Sequence, residues 1–298
     1  MGRKKKGIPI HGWLIIDKPL EISSNNVVGK VRWLTKAQKV GHGGTLDPLA
    51  SGILPLAFGE ATKTVSYVMD GTKTYRFEVT WGESRTTDDA EGEVSATSDV
   101  RPTEEDIRAV LSNFVGAIEQ VPPKYSAIKI NGQRAYKLAR EDQDVEIKPR
   151  TVQINRLELI ECPDANRAVF EVDCGKGTYV RSLGRDIALK LGTVGYISIL
   201  RRTKVGPFDE KSAISLDSVE EIVHSDALFE SLLAIETVLD DISALALGEE
   251  ETRKIRQGMS LKKDMADTET IRLMSEGKLV ALAQVENGLI KPFRVFNY

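Results

Sequence analysis

From Thr72 to Trp81 the chain alternates without a break. Tyr75, Phe77, Val79 and Trp81 fall on one side, and Thr74, Arg76, Glu78 and Thr80 on the other. Successive side chains of a strand point to opposite faces, so this period of two predicts a half-buried strand rather than a helix. Around it, strand and helix patterns mix. Gly12–Asp17 (GWLIID) reads as a short buried strand ending at Lys18-Pro19. Ser23 and Ser24 are N-cap residues for a helix whose Val27, Val28, Val31 and Leu34 share one face. Val40–Gly52 is too rich in chain breakers for helix or strand.

The pattern continues in the same mixed style. Ser84–Ser98 is polar and acidic and predicts a loop, and Thr103 with Asp106 forms a capping box ahead of Ile107–Val115. Ile128–Ile130, Asn131-Gly132 and Arg134–Arg140 read as strand, turn and helix. Val152–Ile160, Ala168–Cys174 and Ile197–Val205 are strands, and Tyr179–Leu191 is a helix closed by Gly192. Helical patterns follow at Leu216–Val223 and Ala227–Val238. Beyond them, Gly248–Gln257 fits a short helix, and Ile271–Met274, Leu279–Val285 and Leu289–Phe296 are short strands split by Glu276-Gly277 and Asn287-Gly288. The expected class is α+β, with a mixed, largely antiparallel sheet and a small β-rich C-terminal module. The boundaries are a basic tail over 1–9, a main domain over 10–238 and the module over 239–298.

Composition limits what such a fold could do. The 298 residues are 41% hydrophobic and 29% charged, the balance of a soluble globular chain. No apolar run is long enough to cross a bilayer, and the basic start MGRKKKGIPI lacks the apolar segment of a secretory signal, so a cytoplasmic protein without membrane contact is expected. Two cysteines and three histidines make neither a disulfide framework nor a Cys/His metal site. The net charge of −3 hides a basic middle: Gln120–Gly206 carries 16 Lys/Arg against 10 Asp/Glu. A polyanion bound on one face would suit that distribution. The nucleophile elbow, the HExxH helix and the phosphate-binding P-loop are all missing, and Gly41–Gly44 lacks the following helix of a dinucleotide site.

Two clusters stand out. In Gly41-His42-Gly43-Gly44-Thr45-Leu46-Asp47-Pro48, three glycines let the backbone approach a partner closely, and Pro48 biases Asp47 toward an extended conformation. Lys176-Gly177-Thr178-Tyr179-Val180-Arg181 lies at a strand–helix junction from which Tyr179 and Arg181 can enter one pocket. Arginine beside a carboxylate keeps the acid ionised and oriented.

These clusters do not stand alone. GWLIIDKP (12–19), GHGGTLDPLASG (41–52), GEATK (59–63), PKYSAIKINGQRAYKLAR (123–140), KGTYVR (176–181) and ILRRT (199–203) follow one another in order. Together they resemble the bacterial tRNA pseudouridine-55 synthases, the TruB family, over residues 10 to 210. The slots Gly43-Gly44-Thr45 vary within that motif and touch none of its chemistry. The resemblance implies a pseudouridine synthase core acting on the TΨC stem-loop of tRNA as a monomer, without cofactor or metal.

Carried over by position, it makes Asp47 the catalytic carboxylate, paired with Arg181. Tyr75 would stack on the flipped-out uracil and accept its C5 proton. Tyr179 and Leu200 would line the pocket, His42 would hold the flipped-out RNA loop, and Lys18 and Lys63 would support the site. Attack by Asp47 at C1′, attack at C6 and removal of a sugar proton are all compatible with an ionised carboxylate. The module over 245–298 resembles a PUA-type RNA-binding domain more weakly; Arg253, Lys254, Arg256, Lys262 and Lys263 supply its basic content, and Arg3–Lys6 could add phosphate attraction. The competing reading is an RNA-folding factor on the same fold. Asp47, Tyr75 and Arg181 together favour the enzyme, since binding alone has no need of that carboxylate.

Overall fold

The computed structural model describes residues 7–126, 129–130, 133–134 and 147–298. The strands are β1 (Gly12–Lys18), β2 (Val40–His42), β3 (Ala50–Phe58), β4 (Lys73–Trp81), β5 (Glu83–Arg85), β6 (Val94–Thr97), β7 (Gly116–Gln120), β8 (Lys129–Ile130) and β9 (Gln133–Arg134). They continue with β10 (Arg150–Asp164), β11 (Arg167–Cys174), β12 (Gly195–Val205) and β13 (Phe208–Asp209), then β14 (Ala244–Ala246), β15 (Leu261–Lys262), β16 (Thr268–Ser275), β17 (Lys278–Glu286) and β18 (Leu289–Val295). The helices are α1 (Ser24–Thr35), α2 (Val65–Asp70), α3 (Glu104–Leu111), α4 (Val180–Lys190), α5 (Leu216–Ile222), α6 (Ala227–Glu230) and α7 (Glu249–Arg256).

The main sheet runs β1-β3-β12-β4-β11-β10-β7, with β2 on β3 and β13 on β12. Every pairing is antiparallel except β3 with β12, which is parallel. The alternation of β4 does what its pattern predicts. Phe77, Val79 and Trp81 join Phe170 of β11, Ile107 of α3 and Leu183 and Ile187 of α4 in one core. β1 is buried on both faces, Leu14 and Ile16 against Val27 and Val31 of α1, Trp13 and Ile15 against Phe208 and Phe296. That double burial is why GWLIID is an unbroken apolar run. β14–β18 form a second sheet, ordered β14-β16-β17-β18-β15, and its Leu279, Leu282 and Phe296 share the core of Trp13 and Ile15.

Several expectations are corrected. Within Val40–Gly52, β2 is a strand paired with the far end of β3, at Leu56–Phe58, and Ala50–Gly52 start β3 beside β12, so the irregular stretch shrinks to 43–49. The acidic segment Ser84–Ser98 is not a plain loop: β5 and β6 pair as a hairpin, and the turn between them carries Asp88 and Asp89 to arginines of α4. Ala227–Val238 does not form one helix. Leu233 exchanges two 2.8 Å backbone hydrogen bonds with Trp13, which pulls the chain straight after the single turn of α6. Arg134 is in β9, hairpin partner of β8, rather than at a helix start; 135–140 lie outside the described residues, as do Arg3–Lys6. Among the described residues no helix is long and apolar enough to cross a membrane, and no three His, Cys, Asp or Glu side chains cluster as a metal site.

Candidate active site

The site forms where β3, β12 and β4 lie side by side and α4 begins. Leu200 on β12 is opposite Ala50 on β3 and Phe77 on β4, and two residues on, Arg202 is opposite Tyr75. Asp47 precedes β3, and Tyr179 and Arg181 stand at the first turn of α4. A cavity of about 590 Å³ opens here, lined by Asp47, Tyr75, Tyr179, Arg181, Leu200 and Arg202 among others. The 44–47 loop forms one wall and the Gly175–Thr178 turn another.

The loop bearing Asp47 is irregular in shape and held almost residue by residue. Gly43 N–H donates to Pro55 C=O at 2.8 Å. The Arg202 guanidinium donates to Gly44 C=O at 3.1 Å and Thr45 C=O at 3.3 Å, and also to Ile53 C=O at 2.8 Å. Ser24 Oγ accepts from Leu46 N–H at 2.8 Å and donates to Leu46 C=O at 2.9 Å. Pro48 C=O accepts from Glu21 N–H at 2.8 Å and from Lys18 Nζ at 3.3 Å. With the backbone fixed on both sides of it, Asp47 has little freedom beyond its own side-chain torsions.

Asp47 Oδ2 lies 2.9 Å from Arg181 Nη2. The pair is asymmetric: the Arg181 side chain is 6% exposed and that of Asp47 44%. Arg181 is fixed independently, by Asp89 at 3.3 Å and by the carbonyls of Thr87 and Tyr125, each at 2.9 Å. The guanidinium is therefore an anchored post, and Asp47 is the more open member of the pair.

Tyr75 packs between the two cores flanking this seam. Burial raises its phenol pKa, the Arg202 guanidinium beside it opposes that shift, and Asp47 adds to it. The group is a neutral phenol at neutral pH. Tyr179 is held by the Gln120 amide: its N–H donates to Gln120 Oε1 at 2.8 Å and its C=O accepts from Gln120 Nε2 at 3.1 Å, and Arg150 lies 4.9 Å above its ring.

The remaining predicted residues separate into three places. Lys18 is fully buried and donates to Pro19, Ile22 and Pro48 carbonyls, so it acts on Asp47 through the backbone. Burial pushes its ammonium down to about 8, against the pull of Asp47. His42 sits on β2 behind the loop, where Nδ1 accepts from Gly44 N–H at 3.4 Å, and burial followed by Arg202 lowers its pKa. Lys63 does not line the cavity. It binds Glu60 at 2.5 Å and Val295 C=O at 2.7 Å and lies over Phe296, which places it at the junction with the second sheet.

Four participants were not singled out from the sequence for these roles. Arg202 underpins both Tyr75 and the Asp47 loop, and its signal was the Arg201-Arg202 step in ILRRT, which puts one arginine on each face of a strand. Arg201 faces away, bound to Asp17 at 2.8 Å and Glu210 at 2.7 Å. Asp89 gave no local signal, because its partner is 92 positions away on another element. Ser24 read as a cap; the cap is Ser23, whose Oγ accepts from Asn26 N–H, and Ser24 is free to hold Leu46. Lys73, at the start of β4, holds the Met69 and Gly71 carbonyls at the cavity edge.

Comparison with known proteins places the chain in a family. Residues 32–180 match the model of the TruB family pseudouridylate synthase N-terminal domain, and 181–240 match the tRNA pseudouridylate synthase B C-terminal domain. The chain is 53% identical to tRNA pseudouridine synthase B of Rhodospirillum rubrum, covering all of both chains. It is 52% identical to that of Bradyrhizobium diazoefficiens, over 97% of this chain and 86% of that one. Its fold is similar to Cbf5 in a solved Cbf5-Nop10-Gar1 complex, with a TM-score of 0.75 at 23% identity, covering 100% of this chain and 91% of the other. Matched by these two family models over residues 32–240 and 53% identical to a relative along its whole length, the chain belongs to the TruB family of tRNA pseudouridine synthases, which are isomerases.

Proposed function

We propose that the chain isomerises uridine 55 in the TΨC loop of tRNA to pseudouridine in the cytoplasm, without a cofactor. The observation that carries the reading is the 2.9 Å pair of Asp47 with Arg181 at a cavity walled by Tyr75. In the reaction the N1–C1′ bond breaks, the C5–C1′ bond forms, C5 loses a proton and N1 gains one. Atoms and electrons balance within the nucleotide, so no oxidant or reductant is called for. The base must leave its stack to reach the cavity, and aromatic faces replace the lost stacking. Tyr75 and Tyr179 supply such faces here.

Asp47 acts as an oriented carboxylate, as nucleophile or as base toward the sugar. Arg181 holds it in place and balances the charge as the glycosidic bond breaks. Tyr75, being a neutral phenol, takes up the C5 proton only as its own hydroxyl proton leaves. Residues 10–238 would form the catalytic unit, with 239–298 as a PUA-like RNA-binding module. The test is tritium release from tRNA transcript labelled at uridine C5, wild type beside Asp47→Asn. Release lost in the variant with RNA affinity kept supports the reading. Tight binding without release by the wild type would instead point to an RNA-folding factor.

A further inference from the structure

The described cavity lining holds five cations and two carboxylates. Four of the cations are committed. Arg181 and Arg202 are tied into the loops described above, Arg150 donates to Gly177 C=O at 2.6 Å while covering Tyr179, and Lys73 is bound to the Met69 and Gly71 carbonyls. The fifth, Lys176, is 70% exposed and reaches across the rim to Asp70, 2.9 Å away and 58% exposed. Asp70 is the second carboxylate, and the chemistry assigned to Asp47 does not use it.

Both ends of this bridge rest on fixed backbone. Asp70 ends α2, and the carbonyls on either side of it, from Met69 and Gly71, are the two that Lys73 holds. Gly71 N–H also donates to Tyr67 C=O at 3.1 Å. On the other side, Gly175 N–H donates to Gln153 C=O at 2.8 Å and Gly177 C=O is bound by Arg150. The span between the two backbones is set, so only the two side chains can swing. An exposed ion pair contributes little to stability. Its position is the informative feature: it crosses the rim of an otherwise cationic cavity, between segments 106 residues apart.

We infer that the Asp70–Lys176 ion pair is a latch across the cavity mouth, opened when an RNA phosphate takes Lys176 from Asp70. This rests on the proposed RNA substrate and adds to it a control on one phosphate contact. Lys176 becomes available only to a ligand whose phosphate competes with Asp70 at that point, so every RNA that uses Lys176 gives up the ion pair first. Opening breaks and forms ionic contacts only, and no covalent bond changes.

The experiment measures binding of a TΨC stem-loop RNA, and of an unrelated hairpin, to the full chain and to Asp70→Asn, Lys176→Met and the double variant over a salt series. Asp70→Asn should bind both RNAs about threefold more tightly near physiological salt, the scale of one exposed ion pair. Its log–log salt slope should match that of the wild type, because Lys176 meets the same phosphate in both, whereas loss of Lys176 should flatten the slope by roughly 0.7–0.9, the contribution of one phosphate contact. Lys176→Met should weaken binding, and in that background Asp70→Asn should change neither affinity nor slope. A gain that persists without Lys176 would show Asp70 acting by simple repulsion and overturn the latch, as would an Asp70→Asn variant indistinguishable from wild type. Tritium release by the same proteins judges the catalytic reading separately: a latch signature without release would sink that reading alone, and failure of the wild type to bind either RNA would sink both.

Discussion

Arg202 and Tyr75 are register partners across β12 and β4, and the guanidinium of one bears on the phenol of the other. The same guanidinium reaches back to the Gly44 and Thr45 carbonyls, so one fully buried arginine ties the aromatic wall of the cavity to the loop that carries Asp47. Placement of the carboxylate and of the ring it faces is thus a single packing problem, solved at the β3–β12–β4 seam. Substitutions near that seam test which residues the proposed reaction uses and which only hold them.

Removing Arg181 should cost both activity and stability. The variant Arg181→Ala leaves Asp89, whose side chain is 8% exposed, without its ionic partner. A buried charge stripped of its partner costs about 3 kcal/mol or more. Asp47→Asn should abolish tritium release and leave the urea midpoint nearly unchanged, because Asp47 is half open to solvent. Equal midpoints for Arg181→Ala and wild type would show that Asp89 does not depend on Arg181.

Ser24→Ala tests whether the loop needs its clamp. The substitution leaves the Leu46 N–H and C=O without the hydroxyl that serves both. Leaving buried polar groups unpaired costs about 1–3 kcal/mol. Because Leu46 adjoins Asp47, kcat should fall with KM little changed, whereas Ser23→Ala, which removes only the helix cap, should lower stability by about 1 kcal/mol and spare kcat. A Ser24→Ala enzyme with normal kcat would mean that Arg202 and Lys18 hold the loop without it.

Much of this was legible in the sequence, and the reason differs by residue. The β4 strand declared itself because one face is core and the other wet, and β1 because both faces are core. Asp47, Tyr75 and Arg181 are site candidates through motif resemblance, and the structure brings them to one cavity; periodicity alone reads Tyr75 as an ordinary core residue. Asp89 and Arg202 act through contacts with chain segments about 90 and 160 positions away, which no local pattern encodes. The Leu233–Trp13 exchange that shortens α6 is of the same kind, a tertiary contact overriding helical propensity. Lys63 matched a motif by position, yet apart from Glu60 in the same motif its partners lie on β18 and just beyond it, and it does not line the cavity.

His42 gives the loop a pH dependence. Its folded pKa is lowered below 6.5, by burial first and Arg202 second, so between those two values the unfolded chain binds more protons than the folded one. Stability should therefore fall as pH drops below about 6.5 and level off once pH passes the folded value. Protonation also removes the Nδ1 acceptor from Gly44 N–H. His11 shifts in the same direction, so the contribution of His42 is the difference between wild type and His42→Asn in urea midpoints from pH 7.5 to 5. That difference should move against the wild type on acidification; parallel curves would remove His42 from the account.

Gly52 makes the sharpest steric prediction. It sits in β3 at φ +101°, opposite Arg202 in the parallel pair, and a Cβ there would lie 2.2 Å from the Arg202 carbonyl oxygen. Since that obstacle is backbone, Gly52→Ala must push β3 and β12 apart, which also withdraws Arg202 from Tyr75 and from the Asp47 loop. Backbone strain and overpacking together should cost about 2–6 kcal/mol, with loss of tritium release in whatever protein still folds. Gly192→Ala is the matched control: φ there is +72°, but no atom lies within 4 Å of the added methyl. It should cost only the strain of a left-handed alanine, about 1–2 kcal/mol, and leave release intact. Equal losses for the two variants would show that left-handed strain alone accounts for Gly52, and that the close approach of β3 to Arg202 does not hold the site together.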